Sequence, residues 1–90
     1  MNILQKAQQL VEGDRQKDYD SPDKNFQRTA NLWNGYLDSI GDRKLTPNDI
    51  AMMMVLLKIS REIYKHKEDS VVDAVGYLYC LYKIAEPESQ

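Results

Sequence analysis

Residues 50–59 read IAMMMVLLKI, apolar on nearly every side once wound into a helix. A helix of that kind has to be surrounded by protein. In a 90-residue chain, one domain with a limited core, it is either the central element or is covered by a second subunit. The residues just before it supply a start: Thr46 as N-cap, Pro47 in the first turn, and Asp49 three residues after the cap. Three consecutive methionines, Met52 to Met54, suit a core that adapts to its neighbours.

The rest of the chain has to cover this helix, and its periodicity is helical as well. Residues 2–12 place Ile3, Ala7, Leu10 and Val11 on one face, with Gly13 as the stop. A second helix begins at Ser21-Pro22, carries Phe26, Ala30, Trp33, Leu37 and Ile40 in steps of three or four, and ends at Gly41. The last runs from about Ser70 to Ala85. Its main stripe is Val71, Val75, Leu78, Tyr82 and Ala85, widened by Val72 and Tyr79, and Ser70 and Asp73 have capping-box spacing. The short KHKEDS break before it predicts an antiparallel hairpin of the third and fourth helices. The tail, residues 86–90, is expected to fray. The expected fold is all-α: a compact four-helix bundle over residues 1–90 with a C-terminal antiparallel helical hairpin, oligomeric because the helix through residues 50–59 needs covering on most sides.

Charge and motif content narrow the function. A net charge of −2 and a pI near 5.3 argue against general nucleic-acid binding, which needs a basic face. Cys80 is the single cysteine and lies in an apolar helical pattern, so no intramolecular disulfide can form and a reducing cytoplasm is the expected compartment. The opening MNILQKAQQL carries Lys6 and several glutamines and does not read as a signal peptide. The longest apolar run, Ile50 to Leu57, is too short to cross a bilayer. There is no CxxC and no glycine-rich phosphate loop, and the lone His66 sits among charged neighbours.

Two charged regions remain as candidates for chemistry. The first is GDRQKDYDSPDKNF, residues 13–26, expected to be an ordered loop. It offers cations at Arg15 and Lys17, carboxylates at Asp14 and Asp18, and a ring at Tyr19. Asn25 and Gln27 follow at a helix start, itself a favourable place for an anion. The second region is the hairpin. Pairing outward from residue 66 or 67 sets Arg61 opposite Val72 and Asp73, and Lys58 opposite Gly76. Lys58 and Arg61 share a face, as do Asp69 and Asp73, so a basic pair confronts an acidic pair, with Gly76 permitting close approach and Tyr77 beside it. Purely structural readings stand beside these: an Arg61–Asp73 ion pair, Asp49 as a cap, Trp33 in the core, Tyr19 as a plug. Lys58, mid-way along an apolar helix, needs a partner or a role.

Taken together, GDRQKDYDSPDKNFQRTANLW, LTPNDIAMMMVLLKISR and EDSVVDAVGYLYC resemble a small domain common in bacteriophage genomes and left without an assigned function. Its members read Asp-Arg-x-x-x-Tyr-Gly, Asn-Phe, Trp, a Pro-x-Asp-Val/Ile-Ala helix start, Leu-Lys-x-x-Arg and Asp-x-x-x-Asp-x-x-Gly-Tyr. The likeness covers residues 7 to 82, with Asp20 where Gly is usual after Tyr19. A more distant similarity is to all-α nucleotide pyrophosphohydrolases of the MazG type. That second resemblance implies Mg²⁺ held by Asp69 and Asp73, although Lys58-x-x-Arg61 stands where the first acidic pair of those enzymes lies. It also implies a nucleotide or other phosphate-bearing ligand, held by Arg15, Lys58 and Arg61 with Tyr19 or Tyr77 against a base, and hydrolysis of a nucleoside triphosphate as one outcome. The other expectation is a non-enzymatic phage accessory protein that sequesters a host signalling nucleotide or binds and inhibits a host protein.

Overall fold

The computed structural model describes residues 1–85, in five helical segments: α1 (Ile3–Glu12), α2 (Asp14–Tyr19), α3 (Pro22–Ile40), α4 (Pro47–Tyr64) and α5 (Glu68–Ala85). The expected frayed tail lies outside the described residues. Helix boundaries follow local chemistry. Asn2 and Gln5 close a capping box on α1, and Thr46 and Asp49 close one on α4. Pro22 and Pro47 open α3 and α4 at positions where a missing N–H costs nothing. Gly41, at φ +72°, ends α3 in a conformation that suits a residue without Cβ. At Gly13, between α1 and α2, an added Cβ would lie 2.7 Å from the Gln9 carbonyl oxygen.

The segment expected as a loop over residues 13–26 is mostly helix, and its only non-helical residues past Gly13 are Asp20 and Ser21. The stretch after Gly13 holds no Gly or Pro until Pro22, so nothing in it interrupts a helical turn. Asp20 takes the strain of the junction, with φ +72° and ψ 178°, a region suited to glycine. Its carboxylate accepts from the Ser21 N–H at 2.8 Å and pairs with Arg28 at 3.2 Å. Asp20→Ala keeps the strain and loses both contacts, whereas Asp20→Gly relieves the strain. In urea unfolding the Gly variant should be the more stable of the two by about 1 kcal/mol. Equal midpoints would mean that the backbone there is relaxed.

Helix α4 is the central element. It meets α5 most extensively and α3 next, whereas α3 and α5 have no comparable contact with each other. These three helices therefore form a layer; α2 reaches part of one remaining side of α4 and the other is open. Helix α1 packs on α2 alone and buries none of its residues. The expectation of a compact bundle is corrected accordingly: the chain extends 50 × 28 × 28 Å, with a radius of gyration of 15.7 Å against about 12 Å for a compact domain of this length. Among the described residues, the buried apolar ones are only Ala51, Met53 and Val55.

The face of α5 that packs is also not the expected one. Ser70, Ala74, Tyr77 and Leu81 are its less exposed positions and repeat at helical spacing toward α4. Ser70 and Ala74 are small enough to let the backbones approach. Helix α5 begins at Glu68, so Ser70 is not its cap but a buried residue of the first turn. The apolar stripe Val71, Val75, Leu78 and Tyr82, with Val72 and Tyr79, faces away and is exposed.

Candidate functional site

Helix α2 is fastened onto the far end of α4. Lys67 and Lys65, in the turn between α4 and α5, reach the Asp18 carboxylate at 2.7 and 3.4 Å. The Lys67 ammonium holds the Asp18 carboxyl below its ordinary range, and the carboxylate raises the lysine in return. One turn earlier on α4, the Arg61 guanidinium lies over the Tyr19 ring, 4.4 Å from its centroid. These contacts bring Arg15, Tyr19, Asn25 and Arg61 around one cleft of about 100 Å³, which Val11, Gln16 and Phe26 also line.

Two residues of this cleft's lining each carry a buried polar atom without a hydrogen-bond partner: Asn25 Oδ1 and Arg61 Nε. Asn25 is 5% exposed, and its side-chain Oδ1 has no hydrogen-bond partner among the described residues. A buried acceptor and a buried donor left unpaired are costly. Arg15, four residues from Tyr19 and so on the same face of α2, adds a guanidinium with no ion pair among the described residues. The arrangement offers two cations, an amide and an aromatic ring, with Asp20, already paired to Arg28, also on the lining. Its volume matches a phosphoryl group or a sugar hydroxyl cluster, roughly three waters' worth of space, so a larger ligand would extend into solvent.

The hairpin residues are arranged differently from expectation. Asp73 pairs with Lys58, at 2.9 Å, and not with Arg61. Lys58, with its side chain 12% exposed, therefore has the partner that its burial required, and its charge is neutralised away from the cleft. Arg61 turns instead toward α2. Asp73, Gly76 and Tyr77 line a separate shallow depression with Val72 and Cys80. A Cβ at Gly76 would meet nothing within 4 Å, so no backbone approaches there. Asp69 lies in the first turn of α5. Among the described residues no three His, Cys, Asp or Glu side chains converge as a metal site, which leaves Asp69 and Asp73 as a pair without a third ligand. One face of the Tyr19 ring is covered by Arg61.

At the other end of α3 and α4, Asp49 is 2% exposed and fully engaged. Arg43 donates to both of its oxygens at 2.5 and 2.8 Å, the Tyr36 O–H donates at 2.6 Å, and the Thr46 N–H donates at 2.7 Å. Arg43, then Tyr36, hold the carboxyl far below the ordinary range, and Tyr36 is pushed upward by the same carboxylate. This is a structural anchor. Nothing in it is left unpaired for a ligand.

An all-helical domain with a cationic cleft beside its central helix is the class that these features define. The chain belongs to the family described as a domain of unknown function, DUF6378, whose profile matches residues 2–85. It is similar to the gene 55 protein of Mycobacterium phage L5, at 38% identity over 91 aligned residues, covering 100% of this chain and 56% of the relative. The gene 55 protein of Mycobacterium phage D29 is 37% identical over 86 residues, covering 94% and 54%. The chain thus spans about half the length of these curated relatives. No solved structure matches it. The phage-domain resemblance is the one these matches carry; neither carries the MazG-type one. No helix among the described residues is long and apolar enough to cross a membrane.

Proposed function

We propose that this domain binds a nucleotide or a related phosphate-bearing small molecule in the cleft formed by Arg15, Tyr19, Asn25 and Arg61. One observation carries the reading: Asn25 and Arg61, each with a buried and unpaired polar atom, line the same cleft. Arg61 and Arg15 supply charge-assisted hydrogen bonds to phosphate oxygens. Asn25 accepts from a ligand hydroxyl or amine, as a ribose or base provides. Lys58 drops out of the phosphate set because Asp73 neutralises it. Hydrolysis in the MazG manner would need Mg²⁺ at Asp69 and Asp73, two carboxylates of α5 outside the cleft lining, one of them paired with Lys58; binding without turnover fits the residues better. The site of action is the host cytoplasm, and the working unit an oligomer built on the α4–α5 antiparallel hairpin.

Isothermal titration with pyrophosphate and with nucleoside triphosphates tests the ligand reading. Arg61→Gln should weaken binding by about tenfold or more, because a charged donor becomes a neutral one. Unchanged affinity in Arg61→Gln and in Asn25→Leu would remove the cleft from consideration. The second reading, an accessory protein that binds and inhibits a host protein, draws on α1, whose Ile3 and Leu4 stand in solvent.

A further inference from the structure

We infer that the apolar side of the α4–α5 layer is a self-association surface, on which a second copy of this chain docks about a two-fold axis to complete a four-helix core. This inference stands apart from the ligand reading, and either can fail without the other.

On α5, Leu78, Val71, Tyr82, Val75, Tyr79 and Val72 fall in that order around one continuous arc of about 120°. All six are exposed, Val75 at 59% and Tyr79 and Tyr82 at 62% each; between Val71 and Tyr82 no charged residue interrupts the arc, and Glu68 marks its end at the start of α5. Tyr79 and Tyr82 stack on each other with ring centroids 6.4 Å apart, forming an aromatic platform of the kind enriched at interfaces. On α4, the stripe Met52, Leu56, Ile59 and Ile63 is likewise uncovered toward its end, with Ile59 and Ile63 exposed. In two adjacent antiparallel helices these stripes fall on the same side. They lie about half a turn around α4 from Arg61, so α2 and the cleft occupy the opposite side.

Three points select a second copy as the occupant. The chain exposes 6778 Å², about 1,300 Å² more than the ~5,400 Å² of a folded monomer of its mass. A standard-size interface takes about 800 Å² from each partner, within that excess. The two stripes are also equal in length, 52 to 63 and 71 to 82, ~16 Å each, so a two-fold rotation lays one pair squarely over the other. Finally, α4 is apolar on nearly every side; α3 and α5 cover two sides and α2 part of another, and a pair of hairpins closes the side that remains.

Sedimentation equilibrium of the whole chain at tens of micromolar should give twice the 10.5 kDa chain mass, and Val75→Arg should weaken association at least a hundredfold. Because docking would bury apolar surface of the folded chain alone, the wild-type melting midpoint should rise with protein concentration. That second measurement decides the matter if Val75→Arg fails to fold. A monomer at every concentration, a concentration-independent midpoint, or a dimer indifferent to Val75→Arg would overturn the inference, and a monomer would leave this face to a different protein.

Discussion

Asp49→Ala is expected to lower the melting midpoint by more than ~10 °C, the largest loss from any single substitution here. The reason is the number of donors it strands. Arg43, Tyr36 and the Thr46 N–H all turn to this one carboxylate, and the α4 capping box goes with it. The same anchor gives a pH dependence whose sign is fixed. The folded carboxyl lies far below its unfolded value of about 3.9, so its contribution is complete above that pH and is lost as pH falls further. Urea midpoints measured from pH 7 to pH 2 should drop below about pH 4, and Asp49→Asn should flatten that drop while starting lower. A parallel acid profile in Asp49→Asn would show that other carboxylates govern acid unfolding.

Ser60→Leu is the second large effect. Ser60 is fully buried where α3 crosses α4, and Thr29 Oγ1 meets its hydroxyl at 2.9 Å while also bonding the Asn25 carbonyl at 3.1 Å. A leucine there has no room, and the helices must part; the cost is on the order of 3 kcal/mol. Ser60→Ala, which loses only the hydroxyl, should cost about 1 kcal/mol. Chemical unfolding of both variants checks the contrast. A leucine variant as stable as the alanine one would mean that α3 and α4 are not closely apposed at this point.

Most helix starts and stops are legible from local chemistry, the exceptions being α2, expected as loop, and the start of α5 at Glu68 in place of Ser70. Asn2 aside, the sequence marks Gly13, Ser21-Pro22, Gly41 and Thr46-Pro47, and the helices begin or end there. The apolar helix through residues 50–59 is indeed the element to which both α3 and α5 pack. What periodicity does not reveal is which of two faces a helix turns inward. On α5 the larger side chains drew attention to the Val71–Tyr82 stripe, while the small residues Ser70 and Ala74 made the closer contact with α4. The site was half legible for a related reason. Arg15, Tyr19, Asn25 and Arg61 converge, but reading residues 13–26 as a loop hid the i, i+4 spacing of Arg15 and Tyr19. Lys58 was paired one turn away from its expected opposite because a long side chain reaches past its own level on the helix. Val11 and Phe26, missed as cleft residues, were read as faces of separate helices, and only the fold places both helices beside Arg61.

The measurement that bears most directly on ligand binding is thermal unfolding against a panel of nucleoside triphosphates, cyclic nucleotides and pyrophosphate, with and without magnesium. A ligand held by Arg15, Asn25 and Arg61 binds the folded chain alone, so its midpoint should rise, by an amount equivalent to ~2.7 kcal/mol at a hundredfold excess over the dissociation constant. The rise should survive removal of magnesium and vanish in Arg61→Gln. An unmoved midpoint across the whole panel would contradict the cleft as a phosphate site.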